Sequence, residues 1–185
     1  AEAGRPVLCI CFTSKMSGCV GSARNARELV LEDFPDAKIE VIDSTAATVT
    51  ESIVVENAVA MRDAGCSLDE TVTWLEAEKA TNQIFFTVGN LDYLIKGGRI
   101  GKVTGRAANI LGIKPSLAVI DGELKVVRKY RGSLPICVGK YITDQLANRE
   151  DIDRSMVFVS STQAKPGCME AIKAGLRQYG NFENV

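Results

Sequence analysis

Strand-like and helix-like segments alternate along the first half of the chain, and this alternation most limits the folds open to it. A continuous apolar run from Val7 to Phe12 has the length of a strand and is typical of a strand covered on both faces. After a polar turn, apolar residues at helical spacing from Val20 to Val30 predict a helix. A strand from Lys38 to Ile42 and a helix from about Ile53 to Arg62 repeat the order, and Ser67 with Glu70 is the pattern of a capping box that opens a third helix. Such alternation with short links predicts an α/β unit with a parallel sheet.

The second half of the chain has a different pattern. Asp121-Gly122 lies between two strand-like runs and is the strongest short-range signal for a β-hairpin. The other predicted elements are strands at Gln83–Val88 and Ser155–Val159 and helices near Pro135–Ala147 and Pro166–Leu176. We therefore predict an α/β protein of two lobes, with a parallel-sheet α/β lobe over residues 1–82 and an α+β lobe with an antiparallel sheet over residues 83–185.

Composition excludes several classes of function. A net charge of −1 disfavours a nucleic-acid-binding surface, which needs an excess of cations. The chain has no histidine, and its six cysteines include no C-x-x-C pair, so we expect no metal site, no cofactor and no histidine-dependent catalysis. No apolar run reaches the ~20 residues of a membrane span, and no secretory signal is recognised. Scattered thiols are typical of a reducing compartment, so we expect a cytoplasmic protein.

The turn between the first strand and the first helix is a candidate anion site. In an open α/β sheet, ligands bind at the carboxyl ends of the strands, where a helix N-terminus presents unpaired N–H groups. Thr13, Ser14 and Ser17 supply hydroxyls there, and Gly18 leaves the backbone bare. The alternative is that Ser17 only caps the helix, and spacing alone does not separate the two. The turn lacks the spacing of a P-loop.

The segment from Leu91 to Ile100 is a second candidate. Gly97 and Gly98 allow positive φ and a sharp reversal, which places Arg99 at a loop apex. On turn chemistry alone, a glycine-capped helix with a solvated arginine is the simpler interpretation. The segment is predicted to join the preceding strand to a small-residue helix that ends at Leu111–Pro115.

Three other features have two interpretations each. Asp43-Ser44 after the second strand either orients the first loop or begins a turn. The cations Lys125, Arg128, Lys129 and Arg131 form either a solvated face or a protein-docking surface. An apolar stripe lines a lipid pocket or belongs to the core; it comprises Ile100, Val103, Ile110, Leu111 and Ile113.

Taken in order, several short blocks resemble the DegV family of bacterial fatty-acid-binding proteins. The blocks are Thr13–Cys19, Val41–Ser44, Leu91–Ile100, Ile113–Pro115, and Gly122 followed by Lys129 and Arg131-Gly132. Each is weak alone, and their order across nearly the whole chain makes the resemblance specific.

The resemblance implies a carrier and not an enzyme. Members of the family hold a long-chain fatty acid between two lobes and present its carboxylate to a fatty acid kinase for phospholipid synthesis. It implies that the loop from Ser14 to Gly18 holds the carboxylate, and that Arg99 belongs to the surface that meets the kinase. Cys19 stands where the family usually has threonine. Family members are longer, so the chain is expected to lack N- and C-terminal parts of the family's full length.

Two alternatives come from other classes. A subunit of a dihydroxyacetone-type kinase has a related fold, but that chemistry usually tethers its substrate through a histidine, which this chain lacks. A protein-interaction domain suits a chain that has lost part of a pocket.

Overall fold

The computed structural model describes residues 4–100, 113–147, 149–162 and 165–185. These residues form two compact units. Unit 1 comprises Ala1–Ile84 and Val119–Leu124, and unit 2 comprises Phe85–Ala118 and Lys125–Val185. The second segment of unit 1 is the tip of a hairpin.

Unit 1 is a parallel strand pair with helices, as predicted. Its elements are β1 (Val7–Cys11), α1 (Cys19–Asp33), β2 (Ile39–Asp43), α2 (Val49–Asp63), α3 (Leu68–Glu78) and a 3-10 turn (Lys79–Thr81). The pairing of β1 with β2 runs from Val7 opposite Ile39 to Cys11 opposite Asp43, so both strands end at the same edge. Apolar side chains from β2, α2 and α3 form the core, which comprises Ile42, Val54 and Leu75.

The predicted capping box at the start of α3 is confirmed. The Ser67 hydroxyl accepts the Glu70 amide at 3.3 Å, and the Glu70 carboxylate accepts the Ser67 amide at 2.8 Å. These two bonds satisfy amides that the helix itself leaves unpaired at its start.

Unit 2 contains the antiparallel sheet, also as predicted. Its elements are β3 (Phe85–Thr87), α4 (Asp92–Lys96), most of β4 (Ile113–Ile120) and β5 (Glu123–Arg131), α5 (Leu134–Leu146), α6 (Cys168–Gly175) and a π turn (Leu176–Gly180). The strand order is β3-β4-β5, and β3 is antiparallel to β4, with Phe85 opposite Ala118. The core lies where β5, α5 and α6 meet; it comprises Tyr130, Cys137, Val138, Tyr141, Ile142 and Cys168.

The Asp-Gly hairpin is confirmed between β4 and β5. Asp121 and Gly122 have φ of +54° and +77°, and positive φ at both central residues defines the type I′ turn that suits the twist of two strands. Asparagine, aspartate and glycine tolerate this region best, which is why the dipeptide is so informative.

One predicted strand and the end of one predicted helix are wrong. The strand at Ser155–Val159 is an isolated bridge between Met156 and Asn184, because no described strand runs beside it to extend the ladder. Ile113–Pro115 begin β4 and do not end a helix. The rest of that predicted helix, with Val103, Ile110 and Leu111 of the apolar stripe, lies outside the described residues.

Candidate functional site

The candidate anion loop, residues 12–18, leaves the carboxyl end of β1 beside the segment that leaves β2. The Ser44 amide donates to the Cys11 carbonyl at 3.0 Å, and the Thr13 amide donates to the Ala46 carbonyl at 3.1 Å. These bonds continue the pairing of the strands beyond the sheet. The loop therefore begins at the edge where open α/β sheets bind their ligands.

Thr13 holds the loop through several hydrogen bonds. Its side chain is fully buried, and its carbonyl accepts the amides of Met16 and Ser17, each at 3.1 Å. Its hydroxyl accepts the Lys15 amide at 3.3 Å and donates its hydrogen to the Gly122 carbonyl at 3.0 Å. A hydroxyl has one hydrogen to donate, so in this conformation that of Thr13 is committed within the fold.

Asp43 joins the two segments that leave the sheet. Its carboxylate accepts the Ser14 amide at 3.2 Å and the Thr45 amide at 3.0 Å. Both interpretations of Asp43 are therefore correct, because it orients the first loop and also begins a turn. Partial burial favours the neutral acid, but hydrogen bonds from Ser14 and Thr45, with the charge of Lys79, outweigh it and hold the Asp43 pKa below its usual value.

Ser14, Ser17 and Gly18 form the outer side of the loop. Ser14 and Gly18 are exposed and Ser17 is half-buried. The Ser17 hydroxyl accepts the Cys19 amide at 3.2 Å, so it supports the start of α1 as the capping interpretation expects. Its own hydrogen can still be donated outward, because a hydroxyl accepts and donates at once. The capping role therefore does not exclude a binding role.

The N-terminus of α1 presents unpaired amides. Within the described part of the chain, the amides of Gly18, Val20 and Gly21 have no acceptor. No acidic residue lies in the first turn of this 15-residue helix to neutralise its positive end. Space around Gly18 is open, since a side chain there would meet nothing within 4 Å. With the Ser17 hydroxyl, these amides make a donor set suited to a carboxylate, beside the Ser14 side chain that bonds to Asp43.

Three thiols lie next to the loop. The Cys19 thiol donates to the Phe12 carbonyl at 3.2 Å. The thiols of Cys9 and Cys11 are free and share a hydrogen bond of 3.7 Å, and burial raises the Cys11 pKa to about 12. At neutral pH Cys11 is therefore a protonated thiol. The contact follows from the sequence, because residues two apart on a strand point to the same face.

The Gly-Gly-Arg segment makes the predicted reversal at one of its two glycines, because Gly97 has φ of −75° and only Gly98 has a positive φ. The short helix α4 ends where Gly98 turns with φ of +73°, and the Arg99 amide donates to the Leu94 carbonyl at 3.0 Å. Leu91 and Ile100, at the two ends of the segment, are buried, whereas Arg99 is exposed and its guanidinium contacts the Gly97 carbonyl. The segment is therefore buried at both ends, at Leu91 and Ile100, and the Arg99 side chain is exposed.

The described residues lack two kinds of feature, a cluster of metal ligands and a membrane-spanning helix. They contain no group of three histidine, cysteine, aspartate or glutamate side chains able to hold a metal ion. Among them, no helix combines the length and the apolar character that crossing a bilayer requires.

Comparison with known proteins gives a consistent result. A family model, described as DegV and covering uncharacterised proteins, matches residues 1–184. A DegV domain-containing protein of Clostridium perfringens is 39% identical over 130 residues, which are 70% of this chain and 45% of that protein. The crystal structure of a stearic-acid-binding protein from Eubacterium ventriosum is 41% identical with a TM-score of 0.66, over 78% of this chain and 51% of that one. The crystal structure of a DegV lipid-binding protein from Thermotoga maritima is 26% identical with a TM-score of 0.74, over 99% of this chain and 62% of that one. The chain spans 45% to 62% of the length of these three proteins.

Proposed function

The chain belongs to the DegV family, and on that premise we propose that it is a fatty-acid-binding carrier whose candidate anion loop receives the acyl carboxylate at Ser14, Ser17 and Gly18, with the buried Thr13 holding the loop in place. The observation that carries the proposal is the likeness, at 41% identity, to a protein that binds stearic acid. The donor set of the loop supports it independently, because the unpaired amides at the start of α1 and the Ser17 hydroxyl suit an anion.

The binding energy divides between the two ends of the ligand. Burial of the acyl chain contributes ~0.8 kcal/mol for each CH₂, which provides affinity without chemical selectivity. Hydrogen bonds to the charged carboxylate add about 1.5–3 kcal/mol each and fix which end of the lipid is presented. In this arrangement the loop determines the orientation of the fatty acid, and the length of the acyl chain determines most of the binding affinity.

Presentation of the carboxylate to a fatty acid kinase is the second part of the proposal. Arg99 is exposed on a segment with buried ends, which suits a cation that meets a partner. Its guanidinium pairs with carboxylate or phosphate in a fixed geometry and stays charged at any working pH. The chain itself then acts as a carrier and not an enzyme, with no cofactor beyond the fatty acid. Six free cysteines favour a cytoplasmic location for this exchange.

The test is the identity of whatever the purified protein carries. Mass spectrometry of an extract from denatured protein should show a fatty acid of roughly 14–18 carbons, long enough for chain burial at ~0.8 kcal/mol per CH₂ to support retention. The control is an extract of an unrelated protein purified in parallel. An extract without fatty acid, together with saturable binding of a phosphosugar, would favour the dihydroxyacetone-type kinase subunit instead. Absence of both ligands would favour an interaction domain.

A further inference from the structure

The tip of the β4–β5 hairpin contacts the candidate anion loop within unit 1. The contact joins residues 109 positions apart, since the Thr13 hydroxyl donates to the Gly122 carbonyl at 3.0 Å in a fully buried position. The tip residues, Val119–Leu124, group with unit 1, although most of β4 and β5 belongs to unit 2. The loop is therefore completed by a segment that arrives from the other half of the sequence.

The contact leaves no room for a side chain at Gly122. A Cβ there would lie 2.5 Å from the Thr13 hydroxyl oxygen and 3.2 Å from Cγ of Lys15. Gly122 also has φ of +77°, which disfavours other residues. Gly65 provides a comparison, because its φ is +87° and a Cβ there would meet nothing within 4 Å. Positive φ is common to the two positions, and only Gly122 adds close packing against the loop.

Thr13 links the hairpin tip to the hydroxyl and amide donors of the loop. Its carbonyl and hydroxyl together accept the amides of Lys15, Met16 and Ser17, so the direction of the loop backbone follows the placement of this one residue. Ser14 and Ser17 lie within or next to that turn. A shift of Thr13 of a few tenths of an ångström would turn their hydroxyls, and hydrogen bonds weaken steeply away from linear geometry.

We propose that the hairpin tip at Gly122 is a positioning element for carboxylate recognition, acting through the buried Thr13 hydroxyl. Thr13 and Gly122 themselves are positioning residues, because neither has to touch the ligand for this role. The inference rests on the proposed function of the loop and adds to it a determinant of specificity for the acid end group.

The experiment compares a fatty acid of 16 carbons with the primary alcohol of the same length. The two ligands share the chain and differ in the charged group that the loop is positioned to receive. The variants are Thr13→Val, which removes the hydroxyl while keeping the shape, Thr13→Ser, which keeps the hydroxyl, and Gly122→Ala. Matched controls are Thr71→Val, which removes a buried hydroxyl bonded to the Ser67 carbonyl at 2.9 Å, and Gly65→Ala.

Thr13→Val and Gly122→Ala should each lower the acid affinity by at least about tenfold, the lower end of the loss expected for one hydrogen bond to the charged carboxylate, and lower the alcohol affinity by less than about twofold. Thr13→Ser should keep the preference for the acid. Both controls should keep it too, whatever their effect on the free energy of unfolding. If Gly122→Ala does not fold, Thr13→Val against Thr13→Ser decides the question.

Equal losses for acid and alcohol in Thr13→Val would show a structural role only and overturn the inference. If Thr13→Val and Gly122→Ala bind the acid as tightly as wild type does, this inference is overturned and the proposed function stands. Wild-type protein that binds neither ligand would overturn the proposed function, and the inference with it.

Discussion

The candidate anion loop of unit 1 and the Gly-Gly-Arg segment of unit 2 are built in different ways. The loop is held by residues remote in sequence, since Ser14 is fixed by Asp43 and Thr13 by Ala46 and Gly122. Bonds between near neighbours shape the Gly-Gly-Arg segment, such as the Arg99 amide to the Leu94 carbonyl. A site that must recognise a small charged group needs donors with fixed directions. A cation that meets a large partner needs exposure first.

The two regions also differ in what stabilises them. The helix α4 has only five residues, and a helix that short is not stable alone in water. Burial of Leu91 at one end and Ile100 at the other supplies the anchoring that the helix lacks. The loop, by contrast, starts from a paired strand and ends in a helix of 15 residues. We therefore expect substitutions in the loop to change ligand affinity and substitutions in the segment to change partner function.

The largest effect is expected for Ser17→Ala. Loss of a hydroxyl that donates to the carboxylate should weaken fatty-acid binding by about 1–3 kcal/mol. Titration of delipidated protein with a fluorescent fatty acid measures it, and Ser52→Ala, an exposed serine on α2, is the control. Unchanged affinity with a lower free energy of unfolding would leave Ser17 with its bond to the Cys19 amide and no binding role.

Arg99→Ala should separate the two regions. Because Arg99 is exposed, the fold and the lipid affinity should stay within about 0.5 kcal/mol of wild type. Phosphorylation of the bound fatty acid by the kinase should fall at least tenfold, equivalent to about 1.4 kcal/mol. The rate is measured with lipid-loaded protein, and Arg62→Ala, an arginine whose side chain is 71% exposed, is the matched control. Equal rates for Arg99→Ala and wild type would show that Arg99 is only a solvated loop residue. An unfolded variant would show that Arg99 has a structural role.

Ser67→Ala tests whether a loss of stability alone disturbs either region. Removal of the capping box of α3 should lower the free energy of unfolding by about 0.5–2 kcal/mol, measured by urea denaturation. Fatty-acid affinity and the kinase rate should not change, because Ser67 contacts neither the loop nor the Gly-Gly-Arg segment in its described hydrogen bonds. A parallel loss of fatty-acid affinity would mean that the loop depends on general stability more than on its own contacts.

Asp43→Asn gives the smallest expected effect, and it depends on pH. The pKa of Asp43 is lowered in the folded protein, so its carboxylate stabilises the fold fully above its ordinary pKa of about 4 and loses that contribution as pH falls through the lower folded value. The free energy of unfolding of wild type should exceed that of Asp43→Asn by less than about 1 kcal/mol at pH 7, since the Asp43 side chain is only half-buried. Urea denaturation at pH 7, 5 and 3 should show the difference shrinking at acidic pH. A difference that stays constant across this range would assign it to shape and not to charge.

Local chemistry made much of the fold predictable. Asp121-Gly122 marked the hairpin because few residues tolerate positive φ, and Ser67 with Glu70 marked the start of α3 because the two satisfy each other's amides. The apolar run at Val7–Phe12 marked β1 by its length and composition, but the expected cover on both faces is wrong, because only Cys11 of this strand is buried and Val7 is exposed. The predicted strand at Ser155–Val159 failed because a strand also needs a neighbour, and strand propensity does not say whether one is present.

The sequence by itself determined which side chains stand at the end of β1 and which cation follows the two glycines, because these follow from near-neighbour sterics and hydrogen bonding. Only the tertiary structure decided how those side chains are used. It placed Gly122 on the Thr13 hydroxyl, brought the Asp43 carboxylate to the Ser14 amide and left the amides of Gly18 and Val20 open among the described residues. Such contacts depend on the path of the whole chain, and no local pattern encodes a meeting between residues 109 positions apart.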